Sequence, residues 1–164
     1  MLSIIDKVSP IAIFRADQAG KCVYVNQKWQ EISGYSFDET LGSGWLNTIH
    51  PDDRETTEKE WRPISGQQVS HLEFRIITKE GNIKWIAARI AAEVSEKDEI
   101  ISYIGSATDI TERKEAEHSL QASEELNRKL VENSPNAIVF QELDTTIVFV
   151  NKRAVHHLGA NSAD

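Results

Sequence analysis

Two short motifs recur in this chain at one constant interval, and that recurrence limits what it can fold into more than any other feature. Val8-Ser-Pro-Ile-Ala-Ile13 returns as Asn133-Ser-Pro-Asn-Ala-Ile138, and Val23-Tyr-Val-Asn26 returns as Val148-Phe-Val-Asn151. Ser9 and Ser134, Asn26 and Asn151, and Gly34 and Gly159 are each 125 positions apart, so the copies align without a gap; Lys28 and Arg153 also correspond. A structural unit therefore starts near Ile4, closes at a helix and starts again near Leu130. The second copy reaches Asp164 before most of a core has been supplied. The expected organisation is one complete domain over residues 1–114, a connecting helix over 112–132 and the opening of a second domain over 130–164, excised from a longer chain. The apolar strands of that opening would lack a core, so disorder, swapping or pairing with another chain is expected there.

The seam between the copies is Thr108-Asp-Ile-Thr-Glu-Arg-Lys114. Ile100, Ile101, Tyr103 and Ile104 lead into it with a strand-like pattern. The run from Glu112 to Glu132 leads out, rich in Glu, Lys, Ala, Leu and Arg and free of Gly and Pro, which predicts a helix. Thr111 suits its N-cap, and Glu112 then sits where the helix dipole favours an acid. Ala116, Leu120, Leu126 and Leu130 form a narrow apolar stripe, interrupted at Ser123, on an otherwise charged surface. Such a helix buries little against its own domain and is suited to pairing with a second copy of itself. The plainer alternative is a solvated linker helix.

The 164 residues are 40% hydrophobic, enough for one domain core and some extra. The net charge of −8 with dispersed Lys and Arg argues against nucleic acid as a partner. The single Cys22 excludes an intrachain disulfide framework and suits a reducing, cytoplasmic setting. No apolar run reaches the roughly 18 residues of a membrane span, and Met1 to Asp6 lacks the basic start of a secretory signal. A span elsewhere in a longer parent protein stays open.

Taken in order, Ile4, Ile5 and Val8 suggest a short lead-in helix. Ala12–Ala16 and Cys22–Val25 form a hairpin about a turn at Gly20. Asn26 caps a helix carrying Trp29 and Ile32 that ends at Gly34. Ser36 and Glu39 have capping-box spacing, and Gly42 and Gly44 break the segment. Trp45–Ile49 is a short apolar element. A helix opens at Pro51 with Asp52 and Asp53 in its first turn, runs to about Trp61 and stops near Pro63 to Gly66. His71, Glu73 and Arg75 then alternate with Leu72, Phe74 and Ile76, as in a strand with one wet face and one dry face. A turn at Lys79–Asn82, a long strand over Ile83–Val94, a polar loop and a last strand over Ile100–Thr108 complete the unit. The order β-β-α-α-α-β-β-β implies an α+β fold, a five-stranded antiparallel sheet with helices over one face, followed by the connecting helix.

Trp45-Leu-Asn-Thr-Ile-His-Pro-Asp-Asp-Arg54, Glu73-Phe-Arg-Ile76 with Lys79-Glu-Gly81 and Trp85-Ile86, then Gly105 and Asp109-Ile-Thr-Glu-Arg-Lys114, taken in this order, resemble a PAS domain with its PAC segment. Asn26 and Gly34 fit the same pattern. The resemblance covers about residues 3–114 and restarts near 130. It implies a module that senses a ligand, a cofactor or a protein, often in tandem, on the input side of a sensor histidine kinase; related modules feed diguanylate cyclases, chemoreceptors and transcription regulators. It also implies that Asp109-Ile110-Thr111 couples the last strand to the output helix. With Ile104 on that strand, Ile104, Asp109 and Thr111 form the expected relay.

Each conspicuous residue has a plain counterpart. His50, Asp52 and Asp53 are better read as a helix start than as a metal or acid-base cluster. Haem-binding relatives place an iron-ligating His on the helix that follows, and no His lies between Asp52 and Ser70. Light-sensing flavin relatives carry their cysteine in a middle helix, whereas Cys22 falls on a strand. Ser70-His71-Leu-Glu73-Phe-Arg75 faintly resembles the phosphoacceptor box of histidine kinases but lies in a β-patterned run. His156 and His157 diverge by about 100° on a helix and do not chelate. Trp29, Trp45, Ile49, Trp61, Phe74, Trp85 and Tyr103 are the candidates for lining a small-molecule pocket between sheet and helices, the alternative being a core that fills itself. Neither a metal site nor a catalytic group is expected, and no cofactor is named. A homodimer through the connecting helix or the domain surface is expected. Sensor and ligand-free spacer remain the two functional readings.

Overall fold

The computed structural model describes residues 10–61, 69–143 and 146–158. The expected lead-in helix at Ile4 to Val8, the stop at Pro63 to Gly66 and Gly159 lie outside them. The chain divides into two compact units, residues 1–114 and 115–164.

In the first unit a hairpin, β1 (Ala12–Asp17) and β2 (Cys22–Val25), is followed by four short helices. These are α1 (Gln27–Ser33), α2 (Phe37–Thr40), α3 (Gly44–Thr48) and α4 (Pro51–Glu60). Three long strands complete the sheet, β3 (Val69–Ile77), β4 (Ile83–Val94) and β5 (Ile100–Asp109). The sheet order is β2-β1-β5-β4-β3, and every neighbouring pair is antiparallel. The short element expected at Trp45–Ile49 is the single-turn α3, so among the described residues four helices rather than three lie between the hairpin and β3. The last residues of that element pair with the sheet, where Ile49 bridges Ile76.

The two-residue alternation of the strands decides what is buried. Phe74 and Ile76 of β3, Ile86, Ala88 and Ile90 of β4, and Tyr103 and Ala107 of β5 are buried together with Trp29, Ile32, Ile49 and Trp61 from the helical segment. The helices therefore cover one face. Two local devices hold them. Gly34 closes α1 at φ +76°, a left-handed conformation in which its N–H bonds Gln30 O at 2.8 Å. Ser36 and Glu39 exchange the two bonds of a capping box at the start of α2. Lys79, with the Ser36 donors adding to it, holds the Glu39 carboxyl down at about 2. Gly105 sits opposite Phe14, and a methyl group there would overlap the Phe14 ring.

The second unit contains the body of α5 (Thr111–Glu132), a hairpin of β6 (Val139–Gln141) and β7 (Ile147–Val150), and α6 (Lys152–Leu158). The repeat seen in the sequence is repeated bond for bond. Buried Asn26 accepts from Ile13 N (3.0 Å) and Trp29 N (3.3 Å) and donates to Ile11 O (3.1 Å). Buried Asn151 accepts from Ile138 N (2.9 Å) and Ala154 N (3.0 Å) and donates to Asn136 O (2.9 Å). In both copies one Asn caps a helix and ties it to the preceding strand, which needs an amide at that position. The hairpin irregularity also repeats, between Arg15 and Ala16 and between Phe140 and Gln141. Val139, Phe140, Ile147 and Val148 are exposed on the second hairpin.

Candidate functional site

A cavity of about 50 Å³ lies between the sheet and the helices of the first unit. Its wall includes Phe14, Ala16, Cys22 and Val25 from the hairpin, Trp29, Thr40, Trp45, Thr57 and Trp61 from the helical segment, and Leu72, Phe74, Ala88, Ile90 and Ala107 from the long strands. The two hydroxyls and the thiol in this wall point their hydrogens at backbone carbonyls. Thr40 Oγ1 donates to Ser36 O at 2.9 Å, Thr57 Oγ1 to Asp53 O at 2.7 Å, and Cys22 Sγ to Tyr24 O at 3.6 Å. Burial pushes the Cys22 thiol up, so it stays protonated and unreactive at neutral pH. Trp61 stacks at an angle on both Trp45 (centroids 5.3 Å apart) and Tyr103 (5.4 Å).

Of the residues picked from the sequence for a pocket, Trp29, Trp45, Trp61 and Phe74 are thus in the wall. Ile49 and Tyr103 are buried in the same core without lining the cavity. Trp85 is on the other face of the sheet. Ile86, Ala88 and Ile90 turn inward, so strand alternation turns Trp85 outward, where it pairs with Arg75. There the Arg75 guanidinium and the Lys114 ammonium lie over its ring, 5.6 and 5.2 Å from the centroid.

That outer face carries the second part of the site, the start of the output helix. β5 ends at Asp109 and α5 begins at Thr111, with Ile110 between them. The backbone of Trp85 holds both sides of this step, because its carbonyl accepts from Ile110 N at 2.8 Å and its N–H donates to Thr111 Oγ1 at 3.0 Å. Thr111 Oγ1 in turn donates to Asp109 Oδ1 at 2.6 Å, and Thr111 N donates to the same oxygen at 3.0 Å. Asp109 Oδ2 pairs with Lys84 at 3.1 Å. Partial burial pushes the Asp109 carboxyl up, but the Thr111 donors and Lys84 outweigh it and hold the group below the usual carboxylate range. Thr111 was expected as the N-cap; it is instead the first helical residue, and its hydroxyl turns back to the sheet.

The first turn of α5 has further anchors. Glu73 of β3 receives Lys114 at 2.6 Å and Arg113 at 2.5 Å, and these two cations hold its carboxyl below the usual range. Next to it, Arg75 grips Asp53 of α4 with Nε–Oδ2 at 2.9 Å and Nη2–Oδ1 at 2.5 Å, and its backbone N–H adds a bond to Oδ2 at 2.8 Å. This fork holds the Asp53 carboxyl low. His50 caps α4, its Nδ1 accepting from Asp52 N at 3.3 Å. Ile104 is exposed on β5, opposite Arg15 and Ala91 and away from the turn into α5. Sequence reasoning missed Glu73, Arg75 and Lys84. The available signal was the pair of charges Glu73 and Arg75 on the wet positions of β3, which complement Lys114, Arg113 and Asp53; Lys84 falls on the inward register of β4, opposite Ile76, and gave no such signal.

The comparisons with known proteins fit this arrangement. The family model described as the PAS fold matches residues 22–107, and a second, described as a PAS domain, matches residues 125–164. Sporulation kinase C of Bacillus subtilis is 29% identical over 144 residues, 85% of this chain and 32% of the kinase. A methyl sulfide methyltransferase-associated sensor of Methanosarcina acetivorans is 31% identical over 112 residues, 65% of this chain and 11% of the sensor. A solved sensory box histidine kinase/response regulator from Burkholderia thailandensis superposes with a TM-score of 0.57 at 27% identity, covering 73% of this chain and 92% of that one. The chain spans about a third or less of the length of the curated relatives it matches. With the matched family, the five-stranded sheet and the capped helices in agreement, this chain belongs to the PAS domain family.

Proposed function

We propose that this chain is the sensory portion of a longer signalling protein. Residues 1–114, a PAS domain with its PAC segment, detect a small molecule or a change in a partner, and Asp109, Ile110 and Thr111 pass that change to α5. One observation carries this reading: the strand whose Ala88 and Ile90 wall the cavity also holds both sides of the turn into α5 through the backbone of Trp85. A change in cavity occupancy that shifts β4 alters the bonds that aim the helix. A differential of a few kcal/mol between two helix arrangements is enough to change output.

Several further elements belong to the same reading. Leu120, Leu126 and Leu130 are exposed along α5, which suits pairing with a second copy of the helix. The Asn151 network and the family match at 125–164 support a second PAS domain that opens near residue 130. Relatives named as kinases make a histidine kinase the expected effector, and catalysis is assigned to that effector. Among the described residues no helix is long and apolar enough to cross a membrane. Cys22 suits a cytoplasmic setting. The small volume of the cavity favours a second reading, a ligand-free PAS domain that dimerises and spaces tandem repeats. Asp109→Ala in the parent protein separates the two. Lost signal response in a folded protein supports the relay, and an undiminished response refutes it.

A further inference from the structure

Arg75 is tied to the first turn of α4 by backbone and side chain together. Its carbonyl accepts from His50 N at 2.9 Å, its N–H donates to Asp53 Oδ2 at 2.8 Å, and its guanidinium forks the same carboxylate. A bidentate pair of this kind fixes the plane of the guanidinium as well as its position. On its other side the guanidinium lies over the Trp85 ring, and that ring is shared with the ammonium of Lys114 from the start of α5. Two cations drawn to one ring also repel each other, so the placement of the first sets what the ring offers the second. The side chains of Arg75 and Lys114 are only 27% and 29% exposed, which weakens screening by salt. α4 meets the cavity as well. Thr57 and Trp61 stand in the cavity wall, and the Thr57 hydroxyl donates to Asp53 O at 2.7 Å. The same short segment thus faces the cavity at Thr57 and Trp61 and grips Arg75 at Asp53.

We propose that Arg75 is a positioning residue for α5, carrying the placement of α4 through the Trp85 ring to Lys114. α4 is then a second input to the helix, beside the backbone of β4. This rests on the reading of the cavity as the sensing site and of α5 as the output, and adds the side chains by which a helix of the cavity wall reports to that output.

Hydrogen exchange at the Lys114 amide, which donates to Ile110 O at 3.0 Å, tests it in the ¹⁵N-labelled 164-residue chain. Asp53 bonds to β3 and not to α5, so Asp53→Asn frees the guanidinium while leaving an acceptor for Arg75 N. Exchange at Lys114 is expected to speed up about threefold to tenfold, the coupling typical of side chains in one network, with the Ile86 and Ile90 amides unchanged as a check that the core stays closed. Arg75→Lys, which keeps the charge and gives up the fork, should do the same. In a Trp85→Leu background, Asp53→Asn should add nothing further at Lys114. An unchanged Lys114 rate in both Asp53→Asn and Arg75→Lys overturns the inference, and so does an acceleration that persists in full without the Trp85 ring. None of these substitutions alters the cavity wall, so such a failure removes the α4 input alone. Failure of the sensing reading shows elsewhere, in a filled cavity that moves neither Trp85 nor Thr111.

Discussion

Replacing Thr111 with valine removes a hydroxyl and keeps the shape, and the structure indicates what should follow. The hydroxyl accepts from Trp85 N at 3.0 Å and donates to Asp109 Oδ1 at 2.6 Å. Without it the N–H of half-buried Trp85 loses its acceptor, which costs about 1–2 kcal/mol. The bond to the carboxylate is charge-assisted, but Asp109 retains Lys84 and Thr111 N, so its loss adds about 1 kcal/mol. The sum, about 2–3 kcal/mol, falls on the step between β5 and α5 rather than on the core. Hydrogen exchange at the Trp85 and Ile110 amides should therefore speed up by roughly 30- to 150-fold at neutral pH, tenfold for each 1.4 kcal/mol. Amides of Ile86 and Ile90, deep in β4, should change far less. Thr111→Ser, which keeps the hydroxyl, should stay near wild type. Rates at Trp85 and Ile110 within threefold of wild type in Thr111→Val would refute the view that this hydroxyl ties the helix to the sheet.

Other consequences are equally direct. Asn26→Ala removes a helix cap and leaves Ile13 N and Ile11 O without their amide partner, so chemical denaturation should show a loss of about 3–5 kcal/mol, whereas Asn151→Ala should leave the melting of the first unit unchanged. Gly105→Ala drives a methyl group into the Phe14 ring and should destabilise by about 1–3 kcal/mol in the same assay. Glu73, Asp109 and Asp53 all ionise below their ordinary values of 4.5, 3.8 and 3.8, so their contribution is fully present above those values and is lost as pH falls through the lower folded values. The difference in thermal stability between wild type and Glu73→Gln should thus be present at pH 7 and shrink steadily as the pH drops below 4.5.

What was legible in the sequence was mostly local. Two-residue alternation at Leu72 to Ile76 located β3, the Ser36–Glu39 spacing located a capping box, and the 125-residue interval found Asn26 and Asn151 before their matching bonds were seen. The first two signals are carried by residues near one another in the chain, and the third by short motifs that each recur whole. The face on which Trp85 lies was also readable from its neighbours, because Ile86, Ala88 and Ile90 fix the inward set, yet Trp85 was grouped with the other aromatics as a pocket candidate. Partners far apart in sequence were not legible. Glu73 and Lys114, Arg75 and Asp53, and Trp85 and Thr111 meet only because β3, β4 and β5 lie side by side, and strand order is a tertiary fact.

The most direct test of the relay uses the four tryptophans of the chain, three at the cavity and one at the turn into the helix. With 5-fluorotryptophan in place, ¹⁹F spectra would be compared between wild type and Ala16→Val. Ala16 lines the cavity from β1 and lies opposite Tyr103, at the far end of β5 from Asp109, so the added methyl groups fill the cavity without touching the junction. If the cavity governs the helix, the Trp85 resonance shifts along with those of Trp29, Trp45 and Trp61, and the Thr111 amide moves with it. Shifts confined to the three cavity tryptophans, with Trp85 and Thr111 unmoved, would contradict the coupling of cavity to helix.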